Sequence, residues 1–210
     1  MKKLFTLLAL TISFSMNAQM SDNSIGTSAT GTYAVAMGGD TTASGNYSTA
    51  MGQNTTASGT RSTAMGTQTT ASGNYSTAMG WSTTASGNYS TAMGSATTAS
   101  GDNSTVMGRG TTASDYASTV IGHYNSSGSS VTNSASSFST SNTAFVIGNG
   151  TNYANKSDAF KVMFNGDTTV SNDLTVSGDV VISSDARLKS NIVSLGSTLP
   201  KLLQIDGKSY

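Results

Sequence analysis

The sequence predicts an all-β chain whose main body is a solenoid of fourteen-residue coils. Met-Gly recurs at Met37/Gly38, Met51/Gly52, Met65/Gly66, Met79/Gly80, Met93/Gly94 and Met107/Gly108, with Ile121/Gly122 following in step. Ala-Ser-Gly units ending at Gly45, Gly59, Gly73, Gly87 and Gly101 fall midway, so glycine returns every seventh residue from Gly31 to Gly122, interrupted only at Asp115. Thr, Ser, Ala, Gly and Asn dominate a chain that is only 10% charged. Scattered, that composition would read as disorder; its strict order argues for structure.

Residues 1–18 read as an export signal, with Lys2 and Lys3 before the apolar run Leu4 to Phe14 and cleavage expected after Ala18. Residues 19–28 form a short N-terminal segment. With no cysteine in 210 residues, neither a disulfide scaffold nor a lipid-anchored N-terminus is expected. No later apolar run reaches the roughly 18 residues of a membrane helix. Ten basic and ten acidic residues give no net charge, which excludes an electrostatic nucleic-acid binder.

The repeat region runs from 29 to 124. A coiled coil needs apolar residues at two heptad positions, whereas the fixed position here is glycine among Ser and Thr. Collagen needs glycine at every third residue. A solenoid remains. Each seven is expected to supply a strand, such as Ser48 to Met51 or Thr55 to Ser58, and a turn in which glycine takes positive φ. Asp115 is expected to tolerate that conformation in glycine's place. Seven coils stacked about 4.8 Å apart make about 34 Å. Thr49 and Met51 share one face of their strand, Ser48 and Ala50 the other. So narrow a roll buries little apolar area, and several copies are expected to associate.

Repeats of the form Ser-Thr-Ala-Met-Gly-x-x-Thr-Thr-Ala-Ser-Gly-x-Tyr resemble the head repeats of YadA-like trimeric autotransporter adhesins, over about Ala29 to Tyr124. The resemblance implies a left-handed parallel β-roll, a homotrimer and a secreted or cell-surface location. That family commonly carries valine and isoleucine at the positions of Thr49 and Met51, which implies a more polar core here. No counterpart of the family's membrane-anchor barrel is recognised, which leaves the mode of attachment open.

Residues 125–145 read as a Ser/Thr/Asn-rich linker or degenerate coils. In 146–182, Phe160, Val162 and Phe164 alternate, Asn165/Gly166 is a hairpin turn, and Leu174, Val176, Val180 and Ile182 alternate again as a β-stalk. The stretch Ser183 to Ile192 resembles the start of the intramolecular chaperone domain of phage tail spikes and endosialidases, an α+β domain that assembles a trimer and then cuts itself off. Leu199 to Ile205 and Tyr210 fit its opening helix and strand, so 183–210 reads as an incomplete copy.

That second resemblance maps a cleaving pair onto Ser184 and Lys189, with the cut between Ser183 and Ser184. Lysine takes a serine proton only where burial lowers its pKa, and Arg187 would help. The plainer reading is that Ser184 or Asp185 caps a helix starting near Ala186. The residues Asp185 to Tyr210 are too few to bury Lys189, so the 210-residue chain is expected to stay uncut.

His123, the single histidine, leaves no Ser/His/Asp triad or multi-histidine metal site, and no metal or cofactor is expected. Trp81, Arg109 and His123 share a column with Gly39, Gln53, Thr67 and Ser95, a variability that suits an outward, solvated position and also offers a ligand surface. Tyr33, Tyr47, Tyr75 and Tyr89 share another, either an adhesive stripe or packing between chains. Thr41, Thr55, Thr69, Thr83, Thr97 and Thr111, each followed by a second threonine, suggest an ice-binding array. The function expected is a trimeric surface fibre or adhesin that engages a receptor or glycan; an ice-binding or purely structural solenoid is the alternative.

Overall fold

The computed structural model describes residues 20–21 and 26–178. The export signal at 1–18, Val180, Ile182 and the cleavage residues Ser183, Ser184 and Lys189 lie outside the described residues. The chain divides into two compact units, Met1–Asp173 and Leu174–Tyr210. No helix occurs among the described residues, and none long and apolar enough to cross a membrane.

The first unit is a parallel β-solenoid, as the fourteen-residue period predicts. Each coil contributes one long strand, as in Thr49–Gln53, Thr63–Thr67 and Thr77–Trp81, and one short strand, as in Thr56–Ala57 and Thr70–Ala71. The long strands pair in parallel in an 11-stranded sheet and the short ones in a 7-stranded sheet. Register is exact to the repeat: Thr63 lies against Thr77, Met65 against Met79, and Thr70 against Thr84. The strands sit one residue later than expected at the start of each seven. The short ones end where Ser58 and Gly59 both donate to the carbonyl of Ala71, at 3.0 and 3.2 Å, and the chain turns away.

The Ala-Ser-Gly glycines serve a different purpose from the one the turn chemistry suggests. Gly59 has no positive φ; an added Cβ would lie 2.0 Å from the carbonyl oxygen of Gly73, so the residue is glycine because the next coil leaves no room. Positive φ falls on Gly66 of the Met-Gly pair, at +122° inside a strand, and on non-glycine residues two positions after each Ala-Ser-Gly, such as Tyr47 at 59° and Arg61 at 56°.

Asp115 likewise takes no positive φ. It is fully buried, and its carboxylate accepts the amides of Thr132 at 2.6 Å and Thr143 at 2.8 Å. The last coil has no further glycine stacked upon it, and a side chain fits where every earlier coil excludes one.

The interior is lined by Ala50 and its column mates, with Val106, Val120 and Val146 in the last coils, facing the column of Ala57 and Ala71. Ser48 and Thr55 and their equivalents are buried beside them. Thr49 and Met51 are half-buried on the outer face, so the polarity of the core comes from the Ser48 and Thr55 rows and not from these two positions.

Residues 125–142 close the short-strand sheet. The carboxamide of Asn125 pairs with Thr112 as a further peptide unit would, accepting its N–H at 2.8 Å and donating to its carbonyl at 2.8 Å. Gly128 takes the amide of Ser114 at 2.9 Å. The long-strand sheet continues: Thr143–Asn149 pairs in parallel with Thr119–His123, Ile147 against Ile121 and Gly148 against Gly122. Antiparallel strands Asp158–Met163 and Thr168–Val170 follow, joined through the expected Asn165/Gly166 turn with Gly166 at φ +93°. Of the second unit, residues 174–178 are described; Leu174 and Val176 are exposed and in no strand, and the rest of the expected stalk lies outside the described residues.

Candidate functional site

Each Asn-Tyr turn is built from the coil before and the coil after it. Asn74 accepts the amide of Thr60 on its side-chain oxygen at 3.0 Å, and Asn88 accepts that of Asn74 at 3.1 Å. The amide of Tyr75 donates to the carbonyl of Thr60 at 2.8 Å, and that of Tyr89 to Asn74 at 2.8 Å. These bonds hold the tyrosine backbone in the left-handed region, at φ 58° for Tyr75 and 57° for Tyr89, and leave both side chains exposed.

Stacked coil on coil, the turns produce a ladder of five side chains, Tyr33, Tyr47, Arg61, Tyr75 and Tyr89. Tyr33 and Tyr47 stack with ring centroids 5.2 Å apart, and Tyr75 and Tyr89 at 4.9 Å with planes 8° apart. Arg61 fills the gap: its guanidinium carbon lies 5.1 Å from the Tyr47 centroid and 5.3 Å from that of Tyr75, and Nη1 donates to the Tyr75 hydroxyl at 2.8 Å. Arg61 is the member that sequence reasoning missed; its place fourteen residues from both Tyr47 and Tyr75 was the available signal.

The left-handed conformation costs a non-glycine residue about 1–2 kcal/mol. A stacked ring pair returns about 0.5–1.5 kcal/mol, and an exposed cation–π contact about 0.5–1 kcal/mol. The ladder's two ring pairs and two cation–π contacts offset only part of the strain of its five turns. The four rings remain about half exposed, from 44% at Tyr75 to 58% at Tyr89.

The second candidate column runs through the last residues of the long strands, where Trp81, Ser95, Arg109 and His123 pair in succession. Trp81 and Arg109 are exposed. His123 is not the solvated position expected: its Nδ1–H donates to the carbonyl of Gly150 at 2.7 Å, and its ring packs edge-on against Tyr124, which in turn meets Tyr153. Tyr75 precedes the strand Thr77–Trp81 by two residues, so the ladder and Trp81 stand at its opposite ends, roughly 20 Å apart. The two columns do not form one site.

The threonine doublets do not form a doubled surface array. Thr41, Thr55, Thr69, Thr83, Thr97 and Thr111 are fully buried, and only the second threonine of each pair, as at Thr56 and Thr70, is half-exposed. Alternation forces this split, because neighbours on a strand face opposite ways. On the outer face of the long strands, Met37, Met51, Met65, Met79 and Met93 form a half-buried column that Met107 and Ile121 extend.

Parallel in-register coils with side chains repeated in columns define a solenoid built to present surface. The family model for the YadA head domain repeat, in two copies, matches residues 29–55, 57–83, 75–97, 85–111 and 99–125, nearly every coil of the solenoid. Over those residues the chain is similar to YadA head repeats. No curated protein matches the chain.

Proposed function

We propose that the chain is exported and displayed at a cell surface as a homotrimeric adhesive fibre that engages a receptor or glycan through its coil edges. The observation that carries this reading is the methionine column, Met37 to Met107. Its members are half-buried, and at Met107 exposed, on the outer face of the long-strand sheet, over an interior only an alanine or valine wide. A roll with so little apolar area inside gains by covering that column with further copies of itself. Light scattering on the purified chain should give three times the chain mass; a monomer at micromolar concentration would sink the reading.

The segment from Ser183 onward serves, in this proposal, as an assembly element, with Ser184 and Lys189 as its cleaving pair. The support is the resemblance of Ser183 to Ile192 described above. Intact-mass spectrometry tests it on a chain extended beyond Tyr210. A fragment beginning at Ser184 should be released and should vanish in Ser184→Ala and Lys189→Ala; no release, or release unchanged in both variants, removes the assignment.

A further inference from the structure

We infer that the ladder Tyr33–Tyr47–Arg61–Tyr75–Tyr89 is a contact site for an acidic polysaccharide. The inference rests on the adhesive reading and names its partner class.

Three observations carry it. The first is strain spent on exposure. Both turn columns hold positive φ: the other runs through Asp40, Asn54, Gln68, Ser82, Ala96, Gly110 and Tyr124, and the ladder column continues into Asn103 and Ala117. In its first five coils the ladder column imposes that conformation on four tyrosines and an arginine, all five exposed. Costly backbone conformations persist where the surrounding structure over-determines them, and they cluster at functional sites.

The second observation is charge. Arg61 makes no ion pair among the described residues; its hydrogen bond goes to a neutral phenol, and the guanidinium, on an exposed side chain between two rings, has further N–H donors to offer. One cation among four neutral aromatic rungs selects a ligand with a carboxylate or sulfate at one point and neutral, hydroxyl-bearing apolar surface on either side. A sugar chain with acidic residues has that composition.

The third is geometry. The rungs repeat at the coil spacing of about 4.8 Å, so the ladder is a straight row of phenol edges and hydroxyls about 19 Å long. In an extended acidic peptide, side chains on one face recur at about 6.8 Å and fall out of step with the rungs. A single-stranded nucleic acid binds by stacking its bases on aromatic faces and by a row of cations. Here the inner ring faces are already covered by one another, and one cation stands alone. The phenolic hydroxyls along the row remain accessible, and they can exchange hydrogen bonds with the hydroxyls of successive sugars.

The test uses the full chain immobilised for surface plasmon resonance, with hyaluronan octasaccharide and chondroitin sulfate octasaccharide as acidic probes, a neutral N-acetylglucosamine oligomer, and poly-glutamate. Either acidic sugar should bind, the carboxylate-only and sulfate-bearing arms telling which group Arg61 takes, and the neutral oligomer should not. Arg61→Gln should weaken binding by about tenfold or more. Tyr75→Phe, which keeps the stack and loses a hydroxyl, should weaken it by a few-fold, and Lys156→Gln, at an exposed cation in neither column, should leave it unchanged. Near-UV circular dichroism of each variant checks that the ladder remains folded, and Arg61→Lys replaces Arg61→Gln if that variant does not fold. The inference fails if neither acidic sugar binds, if Lys156→Gln costs as much as Arg61→Gln, or if poly-glutamate binds as tightly. A trimer that adheres to surfaces yet ignores both sugars overturns this inference alone; a monomer overturns the reading beneath it.

Discussion

A Cβ placed on Gly59 would stand 2.0 Å from the carbonyl oxygen of Gly73, closer than any side chain tolerates. Gly39, on the outer edge of its coil, has nothing within 4 Å of the same added atom. Gly59→Ala should therefore destabilise the roll by about 3 kcal/mol or more, the upper range for overpacking, because the obstacle is backbone. Gly39→Ala should be neutral within about 0.5 kcal/mol or slightly stabilising. Paired urea melts of the two variants check this.

Asp115 stands where the repeat calls for glycine, yet Asp115→Gly should not improve the protein. The buried carboxylate holds the amides of Thr132 and Thr143. Its removal costs about 1.5–3 kcal/mol for each charged hydrogen bond. Amide hydrogen exchange should show protection lost first at Thr132 and Thr143, with the coils before Gly87 unaffected; unchanged exchange at both amides would contradict the capping role.

Arg61→Tyr should convert the broken ladder into five continuous rings. Stability is expected to stay within about 1 kcal/mol of the parent, since a stacked pair replaces a cation–π contact of similar size. The near-UV circular dichroism of the tyrosines should strengthen as the two separate pairs join into one stack.

Met65→Glu places a charge at the centre of the outer methionine column without touching the alanine interior. The proposed trimer should dissociate, and the far-ultraviolet spectrum should remain that of β-structure. Sedimentation velocity distinguishes this from a folding defect, in which both would be lost.

The period, the coil architecture and the column membership were legible from the sequence because a parallel in-register stack puts identical residues at identical places. The role of the Ala-Ser-Gly glycines was not. Local turn chemistry suggests positive φ at Gly59, whereas the true constraint is how closely Gly73 approaches from the next coil, and that is set by tertiary stacking. Asp115 was misread for the same reason. Arg61 was overlooked because the column was traced by residue type, although the spacing alone puts it between Tyr47 and Tyr75. The return of the chain to the roll at Thr143–Asn149 is announced by Val146-Ile147-Gly148 repeating Val120-Ile121-Gly122. An insertion hid it, because the 26 residues from Ile121 to Ile147 are not a multiple of the repeat.

The in-register pairing of Thr63 with Thr77 and of Thr70 with Thr84 gives every coil nearly the same set of neighbours, and this has a mechanical consequence. Pulled along the stacking direction, a coil that gives way releases fourteen residues of contour, about 46–50 Å when extended, in place of the roughly 4.8 Å it occupied. Each rupture lengthens the tether by about 40–45 Å and passes the load to an equivalent coil. Such a protein would dissipate a tug in equal steps, as a row of identical fuses does.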